Sequence, residues 1–323
     1  GAITVQVSKF ASIDDILKKD SLDATSRRAG LLENETKQNP QDLESKVSLA
    51  RLYCELALRF GKPMARTKLK RTIAGLSADQ IRGNAYDFAR SCNAMVENQL
   101  PQAAKYISPY LGAKDVEALN LAMLLAAEEK KVDEIQRNLD LALGASGEDY
   151  HARLWFTAAR SFERAKALEE SKEAFVNVTD RDSTRADAWL GQARVAMDLL
   201  DEAPDEDQLE PIERALQEAE KAIDALRSKK AWAGQIYRFM GELQVYRSDY
   251  AEAARIMEKG LTYLPKDTEL IARVAHVLRL GGDFDGAKQT WERLLEVDPG
   301  NESGIVGIAD IYIQTAKYEA GAT

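Results

Sequence analysis

Residues 234–267 read GQIYRFMGELQVYRSDYAEAARIMEKGLTYLPKD, and residues 268–301 read TELIARVAHVLRLGGDFDGAKQTWERLLEVDPGN. The two stretches align without a gap, 34 residues apart, and the aligned pairs include Tyr237 with Ile271, Ala253 with Ala287, Met257 with Trp291, and Pro265 with Pro299. Within each stretch apolar residues recur three and four positions apart, which is typical of one face of a helix. The closing Pro cannot continue a helix. The sequence therefore predicts a repeated pair of helices.

The same pattern extends in both directions from this pair of stretches. First-helix positions recur upstream at Trp189 and Trp155, and more weakly at Leu119, Phe88 and Leu49. Residues 10–40 look like a degenerate helix pair that ends at Pro40. Downstream, residues 302–316 match another first helix, and residues 317–320 look like the start of its second helix, so the pattern predicts a truncated last repeat. We predict three regions: a helical cap over 1–42, divergent repeats over 43–151, and well-matched repeats over 152–323.

These residues resemble the tetratricopeptide-repeat family. Its first helix carries a large residue and then a large–small pair, as in Tyr237, Met240 and Gly241. Its second helix carries Ala with a large residue four positions later, as in Ala253 and Met257. The resemblance implies an all-α fold, namely a right-handed α-α superhelix of about seven to eight helix hairpins, whose first helices line a concave groove for a partner segment. Gln192 departs from the family pattern, which has an apolar residue there.

The composition is that of a folded, helix-rich and acidic chain. Hydrophobic residues make up 45% of it and charged residues 30%, and the formal net charge is −9. Alternating apolar patterns are confined to Ile3–Val7, so little strand is expected. The negative charge opposes binding to nucleic acid and to anionic membranes. The sequence contains no run of 18 or more apolar residues, so no membrane-spanning helix is predicted. The compartment stays open, since the chain starts at Gly1 and a leader could have been removed.

The motifs of catalysis and of metal binding are missing. The two histidines, His151 and His276, lie far apart, and neither a phosphate loop nor a nucleophile elbow occurs. Cys54 and Cys92 have no metal-ligand spacing and form no disulfide framework, so we predict two small buried side chains. The sequence therefore predicts no enzyme, no cofactor, no metal and no small-molecule substrate.

Candidate groove residues follow from the resemblance, because the family's groove is lined by first-helix residues between the packing positions. These residues are Arg153, Phe156, Arg160, Asp187, Leu190, Arg194, Arg238, Glu242, Arg273, His276 and Arg279. Each of four repeats contributes an Arg, and the guanidinium fork suits carboxylates. We therefore expect a protein partner with an acidic segment or a terminal carboxylate. The alternative is that these arginines pair with Glu163, Asp187, Glu242 and Glu269 of neighbouring repeats.

Two charged runs carry weaker signals. The basic run Lys62–Arg71 is expected on a second helix, either as a solvated face or as a patch for anions. The acidic run Asp201–Glu210 is expected as a loop, with the next helix starting at Pro211, because Pro suits a first helical position.

The function expected from these observations is a non-catalytic scaffold for protein–protein interaction within a larger bacterial assembly. The alternative is a regulatory or targeting domain of a larger protein. An RNA-binding helical-repeat protein is a third possibility, and the acidity of the chain argues against it.

Overall fold

The computed structural model describes residues 21–76, 83–224, 226 and 229–321. Within these residues the regular structure is helical. The helices are α1 Leu22–Gln38, α2 Leu43–Cys54, α3 Pro63–Ala74, α4 Asn84–Val96, α5 Leu100–Leu111, α6 Val116–Glu128, α7 Val132–Ala145, α8 His151–Ala165, α9 Leu168–Arg181, α10 Ala186–Asp198, α11 Glu206–Ile223, α12 Lys229–Tyr246, α13 Tyr250–Tyr263, α14 Thr268–Leu280, α15 Phe284–Val297 and α16 Glu302–Gly321. A π-helical turn, Glu55–Arg59, continues α2, and a short 3₁₀ turn, Glu148–Tyr150, precedes α8. The predicted all-α repeat architecture is confirmed.

Helix starts and turns recur at matched places in the repeats. Side chains of Asp249, Asp267 and Asp283 accept a hydrogen bond from the backbone three residues later, which satisfies a donor at the helix start. Five of the turns between first and second helices contain one residue with a left-handed backbone: Asn98, Lys130, Lys166, Ser248 and Gly282. The hairpin geometry thus overrides the preference for Gly at four of these five turns.

The chain divides into two compact units, Gly1–Val195 and Ala196–Thr323. In the first unit, the hairpins α2/α3, α4/α5, α6/α7 and α8/α9 stack in chain order. Gly191 of α10 lies against α9, where an added Cβ would lie 2.5 Å from the Phe175 ring. In the second unit, α12/α13 and α14/α15 form hairpins, and Met257, Ile271, Val274 and Trp291 lie in their shared core. The three regions predicted from the sequence, with boundaries at 42/43 and 151/152, are defined by how well each repeat matches the pattern. That division is different from the two compact units and stays a prediction.

The two cysteines correct one expectation from the sequence. Both are buried, as predicted, but they form a disulfide whose Cα atoms lie 5.6 Å apart. They are 38 residues apart, close to one repeat plus one helical turn. Because the first helices α2 and α4 pack side by side, this spacing brings the two side chains together.

Three further expectations are wrong: the helix start at Pro211, the loop over the whole acidic run, and a second helix starting at residues 317–320. Helix α11 starts at Glu206, because Asp205 and Gln208 form a capping box. Pro211 therefore lies inside the helix, and half of the acidic run is helical. Residues 317–320 do not start a second helix, because α16 runs unbroken from Glu302 to Gly321. No Gly or Pro lies between Gln314 and Ala320 to end it.

Of the degenerate pair predicted over residues 10–40, the described part contains the single helix α1. Residues 10–20 and the alternating stretch Ile3–Val7 lie outside the described residues. The basic run lies on α3, as predicted, with mostly exposed side chains.

Candidate functional site

Three of the predicted groove residues of the first unit are buried. Arg153 is 1% exposed, Phe156 3% and Leu190 1%, so the expectation that these three contact a partner is wrong. Asp187 is paired with Arg185 through two hydrogen bonds of 2.7 Å. The physical reason for the burial of Arg153 and Phe156 is that the chain itself covers this surface.

The covering piece is Glu55–Gly61, which we call the docked segment. It comprises the π-helical turn after α2 and the two residues that follow. It lies against α8, about 100 residues later in the chain, where Phe60 meets Phe156 with ring centroids 5.5 Å apart. The guanidinium of Arg59 lies 5.4 Å from the centroids of both rings. The docked segment follows α2 and lies on α8, the first helix of the third repeat after its own. There it occupies the surface that the sequence assigns to a partner.

Polar contacts fix the docked segment on α8. Arg59 donates to the Thr157 hydroxyl at 2.7 Å and to the Arg153 carbonyl at 3.0 Å. Arg160 donates to the Arg59 carbonyl at 3.3 Å, and Arg164 donates to the Leu58 carbonyl at 3.4 Å. These donors satisfy carbonyls at the end of the helical turn, which have no partner within the helix.

Three arginines on the first helices form ion pairs with acidic residues of neighbouring repeats. Arg194 donates to both carboxylate oxygens of Glu163, at 2.8 and 2.9 Å. Arg238 pairs with Glu269, and Arg273 pairs with Glu242. Each pair spans 31 residues, three fewer than the repeat, because adjacent first helices meet with an offset of about one turn. The alternative interpretation is thus confirmed for these three arginines.

The second unit contains an open cavity of about 310 Å³ on the surface of α12 and α14. Its lining includes Arg238, Glu242, Glu269, Arg273, His276 and Trp291, so it gathers four of the predicted groove residues. The two ion pairs in it differ in exposure. The side chains of Arg273 and Glu242 are 30% and 19% exposed, whereas Glu269, the partner of Arg238, is 77% exposed. The pair of Arg238 is therefore the weaker of the two, since solvent screens an exposed ion pair.

His276 is the only titratable imidazole among the residues that line this cavity. Burial lowers its pKa, and the positive charges of Arg273 and Arg279 lower it further, while Glu242 raises it. Arg279 lies 3.4 Å from Nδ1 of His276. His276 is therefore neutral near pH 7, and the cavity's positive charge comes from its arginines.

In the part of the chain that the structure describes, no group of His, Cys, Asp and Glu is placed to hold a metal ion. Among the same residues no helix is long and apolar enough to span a membrane.

Sequence reasoning missed the docked segment and its carboxylate Glu55. The signal it offered was the long first helix predicted within residues 43–80, which the π-helical turn extends to Arg59. Nothing local marks α8 as the place where that extension lies, because the contacting residues are about 100 positions apart.

The comparisons with known proteins agree with this architecture. No known sequence-family profile matches the chain. Mouse tetratricopeptide repeat protein 21A is 30% identical over 80 residues, which is 25% of this chain and 6% of that protein. The Cut9 and Hcn1 hetero-tetramer of the APC/C superposes with a TM-score of 0.56 at 12% identity, covering 92% of this chain and 54% of that one. Yeast Tom70 gives a TM-score of 0.54 at 14% identity, covering 98% and 66%. The chain thus spans only part of the proteins it matches, and the structural likeness establishes the fold.

Proposed function

Because this chain is built of tetratricopeptide repeats, we propose that it is a non-catalytic scaffold that holds a segment of a partner protein on the first-helix surface of its second unit. The observation that supports this most is the open cavity between α12 and α14, which gathers Arg238, Glu242, Arg273 and His276. A concave helical surface with a few polar groups suits an extended or helical peptide. Membership of a larger bacterial assembly remains a prediction from the sequence.

The proposed partner carries a carboxylate, from acidic side chains or from a chain terminus. Arg238 is the residue that receives it, because Glu269 is mostly exposed and is held by a pair of the kind that contributes about 0–1 kcal/mol. An incoming carboxylate can replace Glu269 at little cost and return it to water. Arg273 is less suited, since Glu242 is less exposed and makes two hydrogen bonds to it.

The test uses short random peptides with free carboxyl termini, displayed against the whole chain, followed by affinity measurement of enriched peptides by fluorescence anisotropy. We expect enrichment of acidic peptides and a loss of about tenfold or more in affinity for Arg238→Glu, the scale of one charge-assisted hydrogen bond. The control is Arg255→Glu, which reverses an exposed arginine paired with Glu252 on α13. The site would be ruled out by enriched peptides that lack acidic side chains and bind equally well with an amidated carboxyl terminus. Equal weakening by both variants would also rule it out.

A further inference from the structure

His276 lies on α14 and lines the same cavity as Arg238, the residue proposed to receive a carboxylate. The imidazole is partly buried, and its Nδ1 lies 3.4 Å from a guanidinium nitrogen of Arg279, one turn further along the helix. The chain has two histidines, and the other, His151, lies on α8 in the first unit. A change in the charge of His276 therefore acts on an anion bound in the cavity.

The charged groups on the wall of the cavity balance one another. Among its described lining residues, Arg238 pairs with Glu269, and Arg273 pairs with Glu242. A carboxylate that a partner brings into the cavity adds a negative charge without a matching positive one. His276 can supply the positive charge by taking up a proton, whereas the arginines are already protonated.

In the unbound protein the surroundings of His276 favour the neutral imidazole. Burial lowers its pKa below the ordinary value of 6.5, and the positive charges of Arg273 and Arg279 lower it further, while Glu242 raises it. The residues around the imidazole are the charged Arg238 and Glu242 of α12, the charged Glu269, Arg273 and Arg279 of α14, and the uncharged Trp291 and Ser303 of α15 and α16. The imidazole is thus a group whose charge an added anion can change.

We propose that binding of a partner's carboxylate in this cavity is coupled to protonation of His276, so that the site holds its partner more tightly in mildly acidic than in neutral solution. This inference rests on the proposed function of the site. The coupling is reciprocal, because a carboxylate that binds the protonated protein more tightly must favour protonation to the same extent. The partner's carboxylates stay ionised in mildly acidic solution, since Asp and Glu titrate at about pH 4.

The direction of the pH dependence follows from the charge of the bound group. A carboxylate beside His276 raises the pKa of the imidazole, because an opposite charge favours the charged form. The affinity therefore starts to rise as the pH falls through the pKa of His276 in the complex, and the rise is complete below the lower pKa of the unbound protein. We expect a gain of about three- to tenfold from pH 7.5 to pH 5.5, since tenfold corresponds to about one pH unit between the two pKa values.

The first measurement is the affinity of the whole chain for the tightest acidic peptide that the selection yields, by anisotropy at pH 7.5 and at pH 5.5. The unaltered protein should show the gain. In His276→Gln the ratio of the two affinities should be close to one, whatever the affinity at pH 7.5. The matched control is His151→Gln, which should keep the gain, because His151 contacts the Leu143 carbonyl and does not line the cavity.

The second measurement follows the imidazole itself by proton NMR of the unaltered chain, with His151→Gln used to assign the two sets of ring signals. The pKa of His276 should rise when the acidic peptide is added, and the pKa of His151 should not move. A peptide with Gln and Asn in place of Glu and Asp, and with an amidated carboxyl terminus, should leave both unchanged.

The outcomes separate the coupling from the site on which it rests. If acidic peptides bind through Arg238 but the gain persists in His276→Gln, or the pKa of His276 does not rise on binding, the coupling is wrong and the carboxylate site stands. If no acidic peptide binds, or Arg238→Glu binds it equally well, the proposed function and the coupling are both wrong.

Discussion

Arg153 donates two hydrogen bonds to the carboxylate of Glu55, from Nη1 to Oε2 at 2.8 Å and from Nη2 to Oε1 at 3.0 Å, although 98 residues separate them. Arg59 donates to the same Oε2 at 2.6 Å, and Arg153 also reaches Glu117 at 3.0 Å. Arg59 is 0%, Arg153 1% and Glu55 6% exposed. Such a buried network fixes the position of the docked segment on α8, because an unpaired charge there would be costly.

Removal of the Glu55 carboxylate should destabilise the protein strongly. We expect Glu55→Ala to lower the free energy of unfolding by about 3–5 kcal/mol, because it leaves two buried guanidinium groups without their shared partner. Urea denaturation followed by circular dichroism measures this. Glu252→Ala breaks an exposed pair and should cost at most about 1 kcal/mol. Equal losses in the two variants would contradict the network's role.

The Cys54–Cys92 disulfide should stabilise the first unit measurably. A crosslink spanning 38 residues is expected to contribute about 3–4 kcal/mol by restricting the unfolded chain. We expect the double variant Cys54→Ala, Cys92→Ala to unfold at lower urea, and the addition of reductant to affect the unaltered protein but not the variant. Detection of two free thiols in the unfolded, unreduced protein would contradict the crosslink.

Two glycines should respond in opposite directions to replacement by Ala. At Gly241 the new Cβ would lie 2.5 Å from the Met257 side chain and 3.0 Å from the Ala253 carbonyl, so Gly241→Ala should cost about 1–3 kcal/mol. At Gly30, in α1, nothing lies within 4 Å of the new Cβ, so Gly30→Ala should stabilise by about 0.5–1 kcal/mol. Thermal melts of both variants test the close approach of α12 and α13, which would be refuted if Gly241→Ala also stabilised.

Acid should weaken one contact between α1 and the helices beside it. Burial raises the pKa of Glu33, but hydrogen bonds from Lys68 and Tyr53 and the charges of Lys68 and Lys37 outweigh this, so the pKa lies below its ordinary value of 4.5. Tyr53 donates to this carboxylate at 2.6 Å. A lowered pKa means that folding favours the ionised form, so the contribution is present above pH 4.5 and is lost as pH falls through the folded value.

We therefore expect Glu33→Gln to lower the melting temperature near pH 7 and to have a diminishing effect as the pH falls below 4.5 and through the lowered pKa of the folded state. Glu44→Gln, at an exposed position of α2, serves as the control. A difference between Glu33→Gln and the unaltered protein that stays constant from pH 7 to acid would show that this carboxylate does not contribute through its charge.

Some of the predicted groove residues line an open cavity, and others are buried beneath the docked segment. Arg238, Glu242, Arg273 and His276 come together around one cavity, as the repeat frame implies. Arg153 and Phe156 occupy equivalent places in an earlier repeat but lie beneath the docked segment. A repeat pattern assigns each residue a position on its own helix, and it carries no information on which distant segment covers that position.

The sequence by itself determined the helical repeat, the period of 34 residues and the buried small–large positions such as Ala253 and Met257, because these depend on contacts within a hairpin and between neighbouring hairpins. Only the tertiary structure decided the Cys54–Cys92 crosslink, the docking of Glu55–Gly61 on α8 and the acidic partners of Arg194, Arg238 and Arg273. Those contacts depend on how successive helices are offset and on where a non-repeating extension lies. A periodic pattern of apolar residues leaves both unspecified.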